Sequence, residues 1–162
     1  MYYHSPCGEM ILGSFDGKLC LCDWADGRRR ASVDQRLQRI LNANYVGGTS
    51  DVIEMAVQQL NEYFLHQRRV FNIPLLFVGT DFQKKVWNEL LKIPYGKTIS
   101  YGELAKQIGM PKSVRAVANA NAVNAISIIA PCHRVIGSNG SLTGYGGGLE
   151  RKRFLLELET HI

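Results

Sequence analysis

Cys132, His133 and Arg134 follow one another at the end of an apolar run, Ala125-Ile126-Ser127-Ile128-Ile129-Ala130, with Pro131 between. The thiolate, not the thiol, is the nucleophilic form of cysteine. A neighbouring His or Arg can lower the thiol pKa from its usual ~8.5. This setting therefore makes Cys132 a candidate for an activated, nucleophilic thiol. An adjacent Cys-His pair is structural more often than catalytic, so the pair alone leaves both readings open. The chain then turns through Gly137-Ser138-Asn139-Gly140 and Gly144-Tyr145-Gly146-Gly147-Gly148. No Lys-Ser/Thr follows at the spacing of a phosphate-binding loop, so the glycines make turns or close contacts instead.

The elements that must hold this centre can be read outward from it. Thr80 and Gln83 form a capping-box pattern ahead of Val86, Trp87, Leu90 and Leu91, and Ile93-Pro94-Tyr95-Gly96 ends that helix. Ser100 and Glu103 repeat the pattern before a helix over 101–108. Gly109-Met110-Pro111 breaks it, Pro111 suits a first helical position, and a further helix runs from Ser113 to about Asn121. Two short helices around a Gly-containing turn are a helix-turn-helix candidate. The second helix, Ser113-Val114-Arg115-Ala116-Val117-Ala118-Asn119-Ala120-Asn121, carries small side chains and one Arg. It is either an Ala-rich packing helix or a helix that approaches a narrow groove with one long side chain intruding, which suits minor-groove contact by shape.

The first half reads differently. Residues 8–24 predict a β-hairpin turning at Asp16-Gly17, with Cys20 and Cys22 on one strand face. Ser32 is placed to cap a helix with Val33, Leu37, Ile40 and Leu41 on one stripe, and Ser50 a second with Ile53, Val57, Leu60 and Phe64. Val70 to Pro74 reads as a short strand or extended crossing segment. The change of character between Pro74 and Thr80 divides the chain into residues 1–76 and 77–162.

Composition limits what this assembly can be. The chain has 162 residues, 46% of them hydrophobic and 20% charged, in the range of a globular protein with its own core. No apolar run reaches the ~18–20 residues of a membrane helix, and Met1-Tyr2-Tyr3-His4 does not open a signal peptide. Net charge is +5. Between Phe82 and Arg134 eight Lys/Arg face two acids, so that third carries +6 and the remainder −1. Such a segment is either a solvated basic face or a surface for a polyanion. Of the four cysteines, Cys7, Cys20 and Cys22 cluster early and Cys132 stands alone. Without a secretion signal they predict free thiols in a reducing cytoplasm; a zinc site with His4 is the lesser alternative, since Cys-x-Cys is not a typical structural spacing.

The run from Asn124 to Val135 resembles the active-site signature of the O6-alkylguanine-DNA alkyltransferases. Gly79 to Gln83, Val86-Trp87, Ile93 to Gly96, Ile99 to Tyr101, Arg115 to Val117 and Gly144 to Leu149 resemble the same family in order and spacing, over about residues 71–159. The first 70 residues match only loosely. The resemblance implies an α/β N-terminal lobe, RNase H-like, and a mostly helical C-terminal lobe with a helix-turn-helix. It implies a monomer without a cofactor that acts on double-stranded DNA carrying O6-alkylguanine, and extends to O4-alkylthymine. The damaged base is flipped out and its alkyl group moves once and irreversibly to Cys132.

The same resemblance assigns roles. Cys132 is the nucleophile, His133 its base through water, and Glu159 the carboxylate that orients the imidazole, with Glu157 as the alternative. Tyr101 serves the departing guanine, and Val135, Tyr145 and Gly146 line its pocket. Arg115 fills the vacated stack, Ser113, Ala116 and Asn119 lie with it on the DNA-binding helix, and Asn124 braces that helix against an active-site strand. Ala125, Asn119 and Ala130 depart from the family pattern. The rival functions are a DNA-binding module without transfer chemistry and a thiol hydrolase that turns over.

Overall fold

The computed structural model describes residues 1–160. An antiparallel meander opens the chain: β1 (Tyr2–Ser5), β2 (Gly8–Phe15) and β3 (Lys18–Trp24). Asp16 and Gly17 both take positive φ, 52° and 77°, which is the tight-turn conformation anticipated for the hairpin. The register slips at Gly13/Ser14, where Gly13 pairs with Leu21 and Ser14 with Leu19, so Cys20 is the extra residue of a β-bulge. The bulge corrects the expected common face of the two cysteines. Cys22 joins the main core, whereas Cys20 turns with Leu21 into a second cluster containing Val33, Leu37, Val78 and Ala125. His4 is exposed and faces Glu9. Among the described residues no three metal-binding side chains gather, so His4 and the early cysteines do not converge on an ion.

Helix α1 (Arg30–Leu41) begins two residues before the expected Ser32 cap. Its N-cap is Arg29, without a side-chain hydrogen bond, and Ser32 lies in its first turn. The stripe is only partly buried: Val33 and Leu37 are covered, but Ile40 is 48% exposed near the left-handed Asn42 that ends the helix. Helix α2 (Asp51–Phe64) is capped by Ser50 as expected and packs against the sheet with Ile53, Ala56, Leu60 and Tyr63 buried.

Of the two readings of Val70 to Pro74, the strand does not form; the segment leads into one parallel bridge, Leu19 with Leu75. There Leu19 N donates to Pro74 O and Leu76 N to Leu19 O. Further along the same edge of β3, Cys22 N donates to Ala125 O and Ser127 N to Cys22 O. Thus β3 binds a residue pair from each of two later segments.

Helix α3 (Asp81–Leu90) has the complete capping box of Thr80 and Gln83. A two-residue strand β4 (Ile99–Ser100) leads into α4 (Tyr101–Gln107), where Ser100 accepts from Glu103 N. Helix α5 (Val114–Ala122) matches the expected helix to within a residue at each end, although Pro111 lies outside its first turn; Ser113 is its N-cap but makes no side-chain cap bond. Helices α3, α4 and α5 pack on one another. A 3-10 turn (Cys132–Arg134) runs into β5 (Val135–Ile136), which pairs in parallel with β4, and α6 (Leu149–Thr160) closes the described chain. The result is a mixed α/β fold with several helices. One continuous core runs from Met10, Leu12 and Trp24 through Leu60 and Tyr63 to Trp87, Leu104, Val117 and Cys132. No described helix is long and apolar enough to cross a membrane.

Candidate active site

The segment ahead of Cys132 is not the strand its apolar content suggests. Ile129 N donates to Ser127 O across Ile128, whose φ of 71° makes this the strained, positive-φ form of the γ-turn, unusual for a β-branched residue. Cys132 N then donates to Ala130 O across Pro131, whose φ −80°, ψ 67° form the relaxed inverse γ-turn. Asn124 holds the loop from inside, with Nδ2 donating to Ile126 O and Ala130 O and Oδ1 accepting from Ile126 N. It is buried, facing the loop rather than solvent. The bonds are made despite Ala125 in the next position. Asn121, on the inner face of α5, donates to Cys132 O at 3.2 Å.

Cys132 itself is 3% exposed. Burial pushes its thiol up to about 11, against the lowering influence of Asn124 and Lys152. The expectation of a thiol lowered by its neighbours is therefore corrected. Arg134 turns away from the sulfur: its Nε and Nη2 donate to Glu159 at 2.9 and 3.0 Å, and Nη1 donates to Ile93 O at 2.6 Å. The resting sulfur keeps its proton and needs a base at the moment of attack.

His133 supplies the geometry of one. Its Nε2 lies 2.7 Å from Glu159 Oε2, with both side chains fully buried. Burial alone would raise the Glu159 carboxyl, but hydrogen bonds and charge from His133 and Arg134 hold it well below the usual carboxylate range. An ionised Glu159 accepts only, so Nε2 carries the hydrogen and Nδ1 bears the free lone pair. Burial, with the positive charges of Arg134 and Lys152, lowers the His133 pKa against the raising influence of Glu159, leaving the imidazole neutral near pH 7. His133 Nδ1 and Asn121 Oδ1 are the two buried side-chain polar atoms without a partner among the described residues. Both belong to residues bonded to or adjoining Cys132, and unpartnered buried polar atoms are a mark of catalytic or water sites. Of the two candidate acids, Glu159 occupies the position and Glu157 is exposed.

Three contributors were not apparent beforehand, and a fourth, Arg134, takes a partner other than the one expected of it. Lys152 is completely buried on α6, with Nζ donating to Val135 O at 2.6 Å and to Thr143 O at 2.7 Å, 5.7 Å from the Tyr101 ring. Burial lowers it to about 8. Tyr63, from α2, donates to Glu159, and Arg134 and Asn121 act as described. A sequence signal existed for one of them: Lys152, Leu155 and Glu159 share a helical stripe, and charged residues on a buried stripe ask for partners.

The other anticipated residues divide by depth. Tyr101 is buried and its hydroxyl donates to Thr143 O at 2.6 Å. Gly144 has φ +71°, and a Cβ there would stand 2.8 Å from that hydroxyl, so no larger residue fits. Val135 is buried on β5, and Tyr145 accepts from Trp24 Nε1 at 3.0 Å. A Cβ on Gly147 would meet the Trp24 ring at 2.4 Å, which presses the glycine loop onto β3. Gly146 O accepts from Arg28 N, and a cavity of about 280 Å3 opens beside this loop. Thr143, Gly144, Tyr145 and Gly146 line it together with Arg28 and Arg29. Positive charge therefore reaches this mouth from the first half too, outside the basic third of the sequence. Arg115, Ala116 and Asn119 are exposed together on the outer face of α5, with Ser113 half-buried at its start.

A buried cysteine followed in the chain by a buried His–Glu pair, together with an exposed short helix, is the residue set of a thiol-nucleophile class of protein. Comparison with known proteins narrows the class. The family model described as 6-O-methylguanine DNA methyltransferase, DNA binding domain, matches residues 81–161. A methylated-DNA–protein-cysteine methyltransferase of Methanosarcina acetivorans is 43% identical over 162 residues, covering 98% of each chain. Its counterpart in Mycobacterium tuberculosis (strain ATCC 25618 / H37Rv) is 62% identical over 104 residues, 64% of this chain. That match spans 63% of the mycobacterial relative's length. The crystal structure of Mycobacterium tuberculosis OGT in complex with DNA superposes with a TM-score of 0.85 at 44% identity, covering 98% of this chain and 91% of that one. The chain belongs to the O6-methylguanine DNA methyltransferase family.

Proposed function

We propose that this protein repairs alkylated DNA by moving a methyl or larger alkyl group from O6 of guanine, and from O4 of thymine, onto Cys132, once per molecule. The observation that carries this reading is the unpartnered Nδ1 of the buried His133, whose ring Glu159 fixes one residue after the buried Cys132, in a chain of this family. His133 takes the thiol proton through a water. The sulfur attacks the alkyl carbon, a C–S bond forms as the C–O6 bond breaks, and the guanine leaves with its electron pair. The step needs no cofactor. Tyr101 serves the departing base: as its hydroxyl turns from Thr143 O, Lys152 still holds that carbonyl, so no buried acceptor is orphaned. Val135, Tyr145 and Gly146 form the guanine pocket.

In this reading residues 1–76 are the RNase H-like lobe and residues 77–162 the DNA-binding and alkyl-acceptor lobe, in which α4 and α5 form the helix-turn-helix. The small exposed Ala116 lets α5 sit close to a groove, Ser113 and Asn119 reach its walls, and Arg115 enters the stack behind the extruded nucleotide. Arg28 and Arg29 meet the phosphates beside the mouth. The protein works as a monomer on double-stranded DNA in the cytoplasm, a reducing compartment suited to its free cysteines.

Intact-mass measurement after incubation with an O6-methylguanine duplex tests the reading. The expected result is a gain of one methyl that Cys132→Ala abolishes, with released guanine never exceeding protein on a molar basis. An unchanged mass overturns transfer, and product in molar excess indicates a hydrolase.

A further inference from the structure

Glu159 is held by more donors than charge balance requires. Oε1 accepts from Arg134 Nε at 2.9 Å and from Gly96 N at 3.2 Å. Oε2 accepts from His133 Nε2 at 2.7 Å, Arg134 Nη2 at 3.0 Å and the Tyr63 hydroxyl at 2.6 Å. The Arg134 guanidinium already matches the carboxylate bidentately, so Tyr63 adds no needed charge. Its ring is fully buried and packs edge-on against Phe64 and Tyr95 and tilted against Phe71. Phenylalanine would fill that space without the penalty of burying a hydroxyl, so the hydroxyl's contribution lies in its bond.

We propose that Tyr63, which reaches the site from the N-terminal half, is a positioning residue for alkyl transfer: its hydroxyl shares Glu159 Oε2 with His133 and thereby keeps the imidazole a neutral base. This rests on the reading of His133 as the base for Cys132. A carboxylate oxygen offers about two lone-pair sites. A third donor on Oε2 therefore weakens what the oxygen gives to His133 Nε2–H. The less the carboxylate draws on that hydrogen, the less the imidazolium is stabilised, and Nδ1 stays free to accept the thiol proton. Removing the phenolic hydroxyl concentrates the carboxylate on His133 and favours its charged form, which cannot act as a base.

The surrounding groups leave this effect legible. Arg134 and Lys152 face His133 with positive charge and depress its pKa; Lys152 itself titrates near 8. Tyr95, over which Arg69 and Arg134 lie, faces Glu159, and burial raises its pKa further from neutrality. Tyr63 itself stays protonated, pushed far up by burial and by Glu159. The acid limb of the rate profile then belongs to His133.

The test is single-turnover methyl transfer from an O6-methylguanine duplex between about pH 5 and pH 8, with Tyr63→Phe beside the parent protein. The expected result is an acid limb displaced upward by about half a pH unit, with the two profiles converging at the alkaline end. An equal loss at every pH, or an unmoved limb, overturns the proposal and reduces Tyr63 to packing. NMR titration of the His133 ring in the unreacted proteins measures the same displacement without the reaction. An upward shift there supports Tyr63's action even if transfer is not the function; no shift overturns it. In a Glu159→Gln background, Tyr63→Phe should add nothing. A further shift of equal size shows that Tyr63 acts by another route and overturns the assignment. A Glu159→Gln protein with parental rate and profile would instead remove the His133–Glu159 reading on which the proposal stands.

Discussion

The carboxylate of Glu159, on α6, is closed in by donors from α2, the loop after α3 and the 3-10 turn. On the outer face of α5, Arg115, Ala116 and Asn119 stand in solvent behind an N-cap that makes no side-chain bond. In the proposed function the two regions serve one reaction, and they are built on opposite terms. A buried ionic cluster has one permitted geometry, and removing one partner strands the rest. An exposed basic face contributes contacts that are nearly separable and weakened by salt. Chemistry at the sulfur should therefore fail as a unit, whereas DNA recognition should fail by degrees and only with duplex substrates.

The sharpest way to break this contrast is Arg134→Met. It strips Glu159 of its bidentate partner and leaves Ile93 O without Nη1. The expected loss is about 3–5 kcal/mol of unfolding free energy, seen by denaturant titration, together with transfer to both duplex and free-base substrates. A loss below about 1 kcal/mol would place Arg134 among ordinary surface ion pairs. A smaller and more selective effect is expected of Arg115→Ala. Repair of duplex O6-methylguanine should slow by about tenfold, since unstacking costs a few kcal/mol, while dealkylation of free O6-benzylguanine stays near the parent rate. Equal losses on both would deny the wedge. The mildest change should come from Arg28→Ala or Arg29→Ala. Each should lower duplex affinity and reduce the slope of log K against log salt by about 0.9, with free-base dealkylation unaltered. An unchanged slope would confine the phosphate contacts to the C-terminal half.

Much of the scaffold was legible because its signals are local. The Asp16-Gly17 turn, the Ser50 cap and the Thr80/Gln83 box depend on residues within a few positions of one another. The features missed are those set by distant partners. The bulge at Cys20 depends on the slip against Gly13 and Ser14, and the early start of α1 owes nothing to a capping side chain. The run 125–130 has the composition of a strand but is bent by γ-turns and by Asn124. Within the site, the adjacency of Cys132 and His133 was visible, and their environment was not. The direction of the thiol shift depends on how completely the core closes over it, and Tyr63 reaches Glu159 from 96 positions away. A tyrosine in an amphipathic helix reads as packing until its hydroxyl is followed to its acceptor.

The outer margin of β3 has a last consequence. Its amides and carbonyls at Leu19 and Cys22 are occupied by Pro74, Leu76, Ala125 and Ser127. An open strand margin invites pairing with other chains. The segment that leads to Cys132 thus also shields the sheet from self-association. Any lesion or substitution that pries residues 125–127 loose would bare a ready template for aggregates, so loss of repair capacity and loss of solubility should arrive together.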